Sequence, residues 1–210
     1  NEPAKQILDQ VSHQNRYRFD QACRIKAIQL AAKAGAQSAI SINFLPNAVY
    51  RPESCIQTTL AAAKTYNFPV ENIIFEITEN ERVVDLLHLR EIIQEYKRRG
   101  FRTAIDDFGA GYSGLNLLAD IQTDFIKLDM ALTRGINQDR TRQTIVKAIL
   151  RVCQELCIEP IAEGIETYEE FRCLEDYGVE LFQGYYFARP MFESFAKLSP
   201  LLNQPSAACA

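Results

Sequence analysis

The chain has 210 residues, long enough to bury a sizeable core in one or two domains. Its 47% apolar and 24% charged residues exclude a disordered chain, a collagen-like chain and a small disulfide scaffold. A net charge of −4 argues against a broad basic face for long nucleic acid, and no apolar run approaches the length of a transmembrane helix. A small phosphate ligand stays compatible with this balance, because a metal ion can bring positive charge locally.

The first clear element is a helix over Asp20–Ala34, followed by a β-branched strand at Ala39–Phe44 (AISINF) and a helix at Ser54–Ala63. Ile73–Thr78 (IIFEIT) reads as a second strand. Val83, Leu86, Leu87, Leu89, Ile93 and Tyr96 then recur at helical spacing, with Arg98–Arg99–Gly100 as a cationic last turn and glycine stop. Further strands fall at Arg102–Asp106, Phe125–Met130, Pro160–Glu163 and Leu181–Phe187. Between them lie a helix with the stripe Ile145, Ile149, Val152 and Leu156, and another over Glu169–Asp176. Strand starts recur about every 28 residues, one strand–helix unit each. Near-continuous apolar strands alternating with helices imply an α/β protein with a parallel sheet. Six strands fit an open doubly wound sheet, whereas a closed barrel needs eight, so periodicity alone leaves the two open. Residues 203–210 read as a frayed tail.

The six cysteines form no CxxC pair. Cys153 and Cys157 sit at i, i+4, yet the better reading is free, buried or half-buried thiols in a reducing, cytoplasmic compartment. Only His13 and His88 are present, so no zinc-type cluster can be assembled, and no Ser/His/Asp arrangement is obvious. No secretory signal follows Asn1, and the missing initiator Met reads as a trimmed chain.

The chemistry lies at the strand ends. Asn43 closes the first strand, Glu76 and Glu79 mark the second, and Asp106–Asp107 the third. Lys127 and Asp129 mark the fourth, Glu163 with Glu166 the fifth, and Gln183 the sixth. In a parallel βα protein these ends open on one face, so the expectation is that Asn43, Glu76, Asp106 and Glu163 share one mouth. Carboxylates packed so densely repel unless cations join them. Carboxylate and amide oxygens are hard donors suited to Mg²⁺ or Mn²⁺, and two ions about 3.5–4 Å apart are the usual arrangement for in-line attack on a phosphodiester. Each residue has a plainer reading alone: Asp107 as a turn cap, Glu76 paired with a core lysine, Lys127 snorkelling to the rim. The loop Phe108–Ser113 (FGAGYS) is no phosphate-binding glycine motif and reads as a mobile loop after the aspartates.

The segments SINF, FEITE, GFRTAIDDFGAGYSGL, DFIKLD, AEGIET and FQGYYFARP resemble the EAL-domain family of cyclic di-GMP phosphodiesterases, in family order from about Ser12 to Pro190. RYRFDQAC and INFLPNAVYRPE look like EAL domains joined to blue-light flavin sensors. The resemblance implies a modified TIM-like (β/α) barrel in one domain over residues 1–202. It implies hydrolysis of cyclic di-GMP to linear pGpG with two Mg²⁺ or Mn²⁺ ions. It assigns metal ligation to Asn43, Glu76, Asp106, Asp107 and Glu163, and catalytic roles to Lys127, Glu163 and Glu79, the last holding the loop after Asp107. Glu166, Gln183 and Asp129 support the substrate. The implied partners are cyclic di-GMP, a second copy in a homodimer and an upstream sensor domain. One departure stands out: the 210 residues contain no Glu-Ala-Leu tripeptide, whose glutamate is a ligand in the family. The first strands of the barrel are expected to be missing with it, and turnover by the chain as given is expected to be poor. A domain that binds cyclic di-GMP or a protein partner without turnover is the alternative.

Overall fold

A computed structural model describes residues 4–12, 14–78, 85–111 and 114–196. The chain divides into two compact units, one from residues 1–77 and 81–103, the other from residues 78–80 and 104–210.

The first unit carries helices α1 (Ala4–Leu8), α2 (Arg16–Lys33), α3 (Pro52–Thr65) and α4 (Leu86–Arg98), with strands β1 (Ile40–Asn43) and β2 (Ile73–Thr78). β1 and β2 run parallel in the register Ile40↔Ile73 to Asn43↔Glu76. β2 is the apolar run expected of a strand covered on both faces: its first five residues are buried. α4 starts where Asp85 accepts from the Leu87 and His88 N–H groups. It stops at Gly100 in the left-handed region, with the Phe101 N–H returning to the Tyr96 carbonyl.

The buried face of α2 is partly polar. Arg24 is fully buried, paired with Asp20 at 2.7 Å and donating to the Tyr96 hydroxyl at 2.8 Å. Its guanidinium also lies 4.9 Å from the Phe75 ring centroid and 5.4 Å from that of Phe44. Asp20 in turn accepts from the Leu45 N–H, two residues beyond Asn43. A charge so deeply buried is tolerable only because ion pair, hydrogen bond and aromatic faces together replace its water.

The second unit carries strands β3 (Arg102–Phe108, from Ala104 on), β4 (Phe125–Leu128), β5 (Glu159–Ala162) and β6 (Leu181–Phe182). Its helices are α5 (Gly114–Asp120), α6 (Met130–Thr133), α7 (Arg140–Leu156) and α8 (Tyr168–Glu175). β3, β4, β5 and β6 are consecutive parallel neighbours. α7 is capped by Asp139 and buries Val146, Ile149 and Cys153. α8 opens on a capping box between Thr167 and Glu170.

Several expectations need correction. The strand expected to reach Met130 ends at Leu128, because the Asp129 carboxylate accepts from the Ala131 N–H and starts α6. The strand expected to reach Phe187 ends at Phe182: Tyr186 and Phe187 turn back to pack on Phe171 of α8, ring centroids 5.9 and 5.6 Å away. Cys23 and Cys157 are exposed rather than buried or half-buried. Cys157 is the left-handed residue that ends α7, so it does not share a face with buried Cys153. Val83 of the expected helix, Tyr112 and Ser113 of the glycine loop, and the tail from 203 onward lie outside the described residues. Among the described residues, no helix is long and apolar enough to cross a membrane.

Candidate functional site

β3 does not end as a regular strand. Its pairing with β4 shifts register between Ile105 and Phe108, and Asp107 takes a left-handed backbone with φ of 55°. In an unbroken strand, adjacent side chains point to opposite faces. The bulge turns Asp107 so that both aspartates reach one side, and aspartate is among the few residues that adopt this conformation readily. As a result, carboxylate oxygens of Asp106, Asp107 and Glu163 all lie within 4.8 Å of one another.

Lys127, on β4, stands at the centre of this group. Its Nζ lies 2.8 Å from Asp106 Oδ1 and 2.9 Å from Glu163 Oε1, and the residue is only 6% exposed. The snorkelling reading of Lys127 therefore fails; the ammonium turns inward to two carboxylates. Glu163 directly follows β5, its N–H bonded to the Leu128 carbonyl. Gly164 next to it has φ of +67°, and a Cβ there would stand 2.7 Å from the Met130 Cβ.

An open pocket of about 280 Å³ adjoins the cluster. Asp107, Asp129, Glu163, Glu166 and Gln183 line it, together with Arg134, Met130 and Tyr185. Arg134 bonds Glu166 through its two terminal guanidinium nitrogens, one contact at 2.8 Å, and holds that carboxyl below the usual carboxylate range. Gln183 is fixed through its backbone, donating to the Ala162 carbonyl and accepting from the Ile165 N–H. A Cβ on Gly184 would collide with the Ile165 backbone, so the close approach of these two segments requires glycine there.

The structure thus gathers Asp106, Asp107, Lys127, Asp129, Glu163, Glu166 and Gln183 in the second unit. In the first unit, Asn43 and Glu76 are register partners at the C-terminal part of β1 and β2, with the Phe44 N–H bonded to the Glu76 carbonyl. Glu76 is buried and Asn43 exposed. Glu79 lies outside the described residues. Sequence reasoning missed Arg134 and Glu170. The T-x-x-E pattern at Thr167–Glu170 was the available signal for the second.

The class is an α/β protein with parallel strands that carry an acidic site, organised by a lysine, at their C-terminal ends. The EAL domain family matches residues 8–190, and the chain belongs to that family. Its fold is that of a standalone versatile EAL protein from Vibrio cholerae, solved in a c-di-GMP-bound form. The TM-score is 0.93 at 56% identity, covering 98% of this chain and 86% of that one. Klebsiella pneumoniae BlrP1, solved as a manganese and cyclic di-GMP complex, gives a TM-score of 0.84 at 34% identity, covering 90% of this chain and 49% of that one. Among curated proteins, the blue light- and temperature-regulated antirepressor BluF of Escherichia coli is 38% identical over 150 residues, 71% of this chain and 37% of its own length. A cyclic di-GMP phosphodiesterase of Pseudomonas aeruginosa is 32% identical over 138 residues, 66% of this chain. The chain spans less than two fifths of the length of either curated relative, 37% and 24%.

Proposed function

We propose that this chain, as one EAL domain over residues 1–202, hydrolyses cyclic di-GMP to linear pGpG with two divalent ions, Mg²⁺ or Mn²⁺. The observation that carries this reading is the Asp106, Asp107 and Glu163 cluster drawn around the buried Lys127 ammonium. Three convergent hard oxygens suit a hard divalent cation. When bound, such ions supply Lewis acidity at a phosphoryl oxygen and a more acidic water.

The remaining work falls to the chain. Asn43, Glu76, Asp106, Asp107 and Glu163 are the proposed ligands. Lys127 holds Asp106 and Glu163 at a fixed spacing and offers N–H donors that orient the attacking water and the phosphate. Water adds to phosphorus, the P–O3′ bond breaks, and the proton from water ends on the 3′ oxygen of the linear product. Glu163 takes part in the chemistry as well as in ligation, and Glu79 is proposed to hold the loop after Asp107. Asp129, Glu166 and Gln183 line the pocket that receives the nucleotide.

Incubation of the chain with Mn²⁺ and cyclic di-GMP, followed by chromatography of the nucleotides, tests this reading. The expected product is pGpG, formed poorly by the chain as given and faster by a form extended upstream to carry a Glu-Ala-Leu segment, and lost from the extended form in Asp106→Asn; equal conversion by the variant would overturn the assignment. A second reading, binding without turnover, is favoured by one observation: BluF, 38% identical over 150 residues, is described as an antirepressor and not as a phosphodiesterase. Tight binding of cyclic di-GMP without pGpG formation would support it. A cytoplasmic homodimer under the control of a sensor domain is the proposed setting; the description of BluF as blue light- and temperature-regulated supports the sensor, and sedimentation tests the dimer.

A further inference from the structure

The pocket beside the cluster is strongly acidic: Asp107, Asp129, Glu163 and Glu166 line it. Arg134 is the only lysine or arginine among its described lining residues. An anionic dinucleotide entering such a pocket meets this one cation on its lining, beside the Lys127 ammonium that is bonded to Asp106 and Glu163. Arg134 has the chemistry for this role, because a guanidinium matches phosphate and carboxylate equally in bidentate geometry. At present it is engaged by a carboxylate, Glu166, at a place where both side chains are partly open to solvent, 38% and 46% exposed.

The backbone under this pair is unusually well fixed. Glu170 is 3% exposed, and its carboxylate accepts three backbone N–H groups: Gly135 at 2.8 Å, Glu166 at 2.9 Å and Thr167 at 3.2 Å. A capping box accounts only for the Thr167 bond. The other two tie the segment carrying Arg134 to the segment carrying Glu166. The Thr133 hydroxyl adds a further link, donating to the Glu163 carbonyl at 2.6 Å. The Arg142 guanidinium donates to the Arg134 carbonyl at 2.6 Å. So the two backbone segments are held together whether or not the exposed Arg134–Glu166 ion pair is made. That ion pair is not needed to hold the segments, and its partners are free to exchange.

We propose that Arg134 is a phosphate-binding side chain of this pocket, in addition to Lys127, and that Glu166 is its resting counter-ion, displaced when the phosphate of the ligand arrives. The proposal rests on the cyclic di-GMP reading and adds to it a named residue and a competition. The competition sets the sign of two substitutions. Removing Arg134 weakens binding. Removing the charge of Glu166 strengthens it, because the phosphate no longer has to displace a carboxylate. An exposed ion pair contributes up to about 1 kcal/mol, which corresponds to roughly a five-fold change in affinity.

The test measures dissociation constants for cyclic di-GMP by titration calorimetry with Ca²⁺ present, chromatography confirming that the nucleotide stays intact. Thermal melts check that every variant is folded. Arg134→Ala is expected to raise Kd at least ten-fold, with Arg134→Lys between it and the unaltered protein. Glu166→Gln is expected to lower Kd roughly five-fold, and the double variant to bind no better than Arg134→Ala alone. Binding by Arg134→Ala within two-fold of the unaltered protein, or weaker binding by Glu166→Gln, would overturn the proposal while leaving the function reading standing. Failure of the unaltered protein to bind cyclic di-GMP would overturn both.

Discussion

Lys127→Met is the most informative single substitution in this chain. Methionine keeps most of the volume of the lysine stem and removes the ammonium. The charge lost is bonded at 2.8 Å to Asp106 and at 2.9 Å to Glu163. At an effective dielectric constant near 20, each contact represents roughly 6 kcal/mol of gross Coulomb attraction. Most of that is offset by the cost of taking the ammonium and two carboxylates out of water. The net loss on breaking a buried pair from one side is about 3–5 kcal/mol, because the partner charges stay buried without compensation. Asp106 and Glu163 would then lose this shared partner while lying close to Asp107, so the loss should lie at the upper end. Urea unfolding in the presence of EDTA measures it. Adding Mn²⁺ should raise the melting temperature of the variant more than that of the unaltered protein, since the ion supplies the missing positive charge. Turnover should fall by at least 10² even with saturating Mn²⁺, because the donors that orient water and phosphate are gone. A variant with unchanged stability in EDTA and turnover within a few-fold of normal would refute the view of Lys127 as the organising charge.

Other outcomes follow from the packing. Arg24→Ala should cost about 3–5 kcal/mol by urea unfolding, since Asp20 would stay buried without its partner; a loss below about 1 kcal/mol would show that the guanidinium is better solvated than its burial implies. Arg98 and Arg99 hold the Glu95 carboxyl down to about 2 from 4.5, so the folded state binds this proton less readily than the unfolded one. The stabilisation is therefore complete above about pH 4.5 and is lost as pH falls toward about 2. Glu95→Gln should flatten that part of a melting-temperature-versus-pH curve, and an unchanged acid limb would count against the assignment. Gly184→Ala forces a Cβ against the Ile165 backbone and should cost about 1–3 kcal/mol while weakening cyclic di-GMP binding through Gln183; normal stability in a thermal melt would mean the two segments separate easily.

The strands were legible where burial dictates composition. Ile73–Thr78 matches its expected limits because a strand covered on both faces must be an apolar run. The limits failed where a side chain had a task outside the strand. Asp129 interrupts an apolar pattern to cap α6, and the aromatic residues after Gln183 look strand-like yet pack on α8. The acidic cluster was legible because carboxylates at successive strand ends are costly without a purpose. Its geometry was not, since the turn of Asp107 depends on a register shift against β4 that no local pattern encodes. The burial of Arg24 was equally hidden: its hydrogen-bonding partner Tyr96 lies 72 positions away. Arg134 and Glu170 escaped notice because each reads alone as an ordinary surface charge or a helix cap, and only their joining of two segments gives them a role.

The site residues share one further property, which bears on how an acidic cluster can exist before any ligand arrives. Asp107 sits in a bulge, Glu163 precedes a glycine with positive φ, and Gln183 precedes a glycine pressed against Ile165. Each irregularity is anchored by regular hydrogen bonding on its strand side, so the side chains are aimed by backbone that has little freedom to relax. Convergent carboxylates on such a frame cannot swing apart to relieve their repulsion. Lys127 supplies the relief from within, and it does so from a strand between the two that carry Asp106 and Glu163. The lysine therefore does two jobs with one charge. It offsets the repulsion of the folded cluster, and on the proposed reading it fixes the spacing that an ion would meet. A site built this way needs little reorganisation on binding, which is the condition under which electrostatic stabilisation of a transition state is most effective.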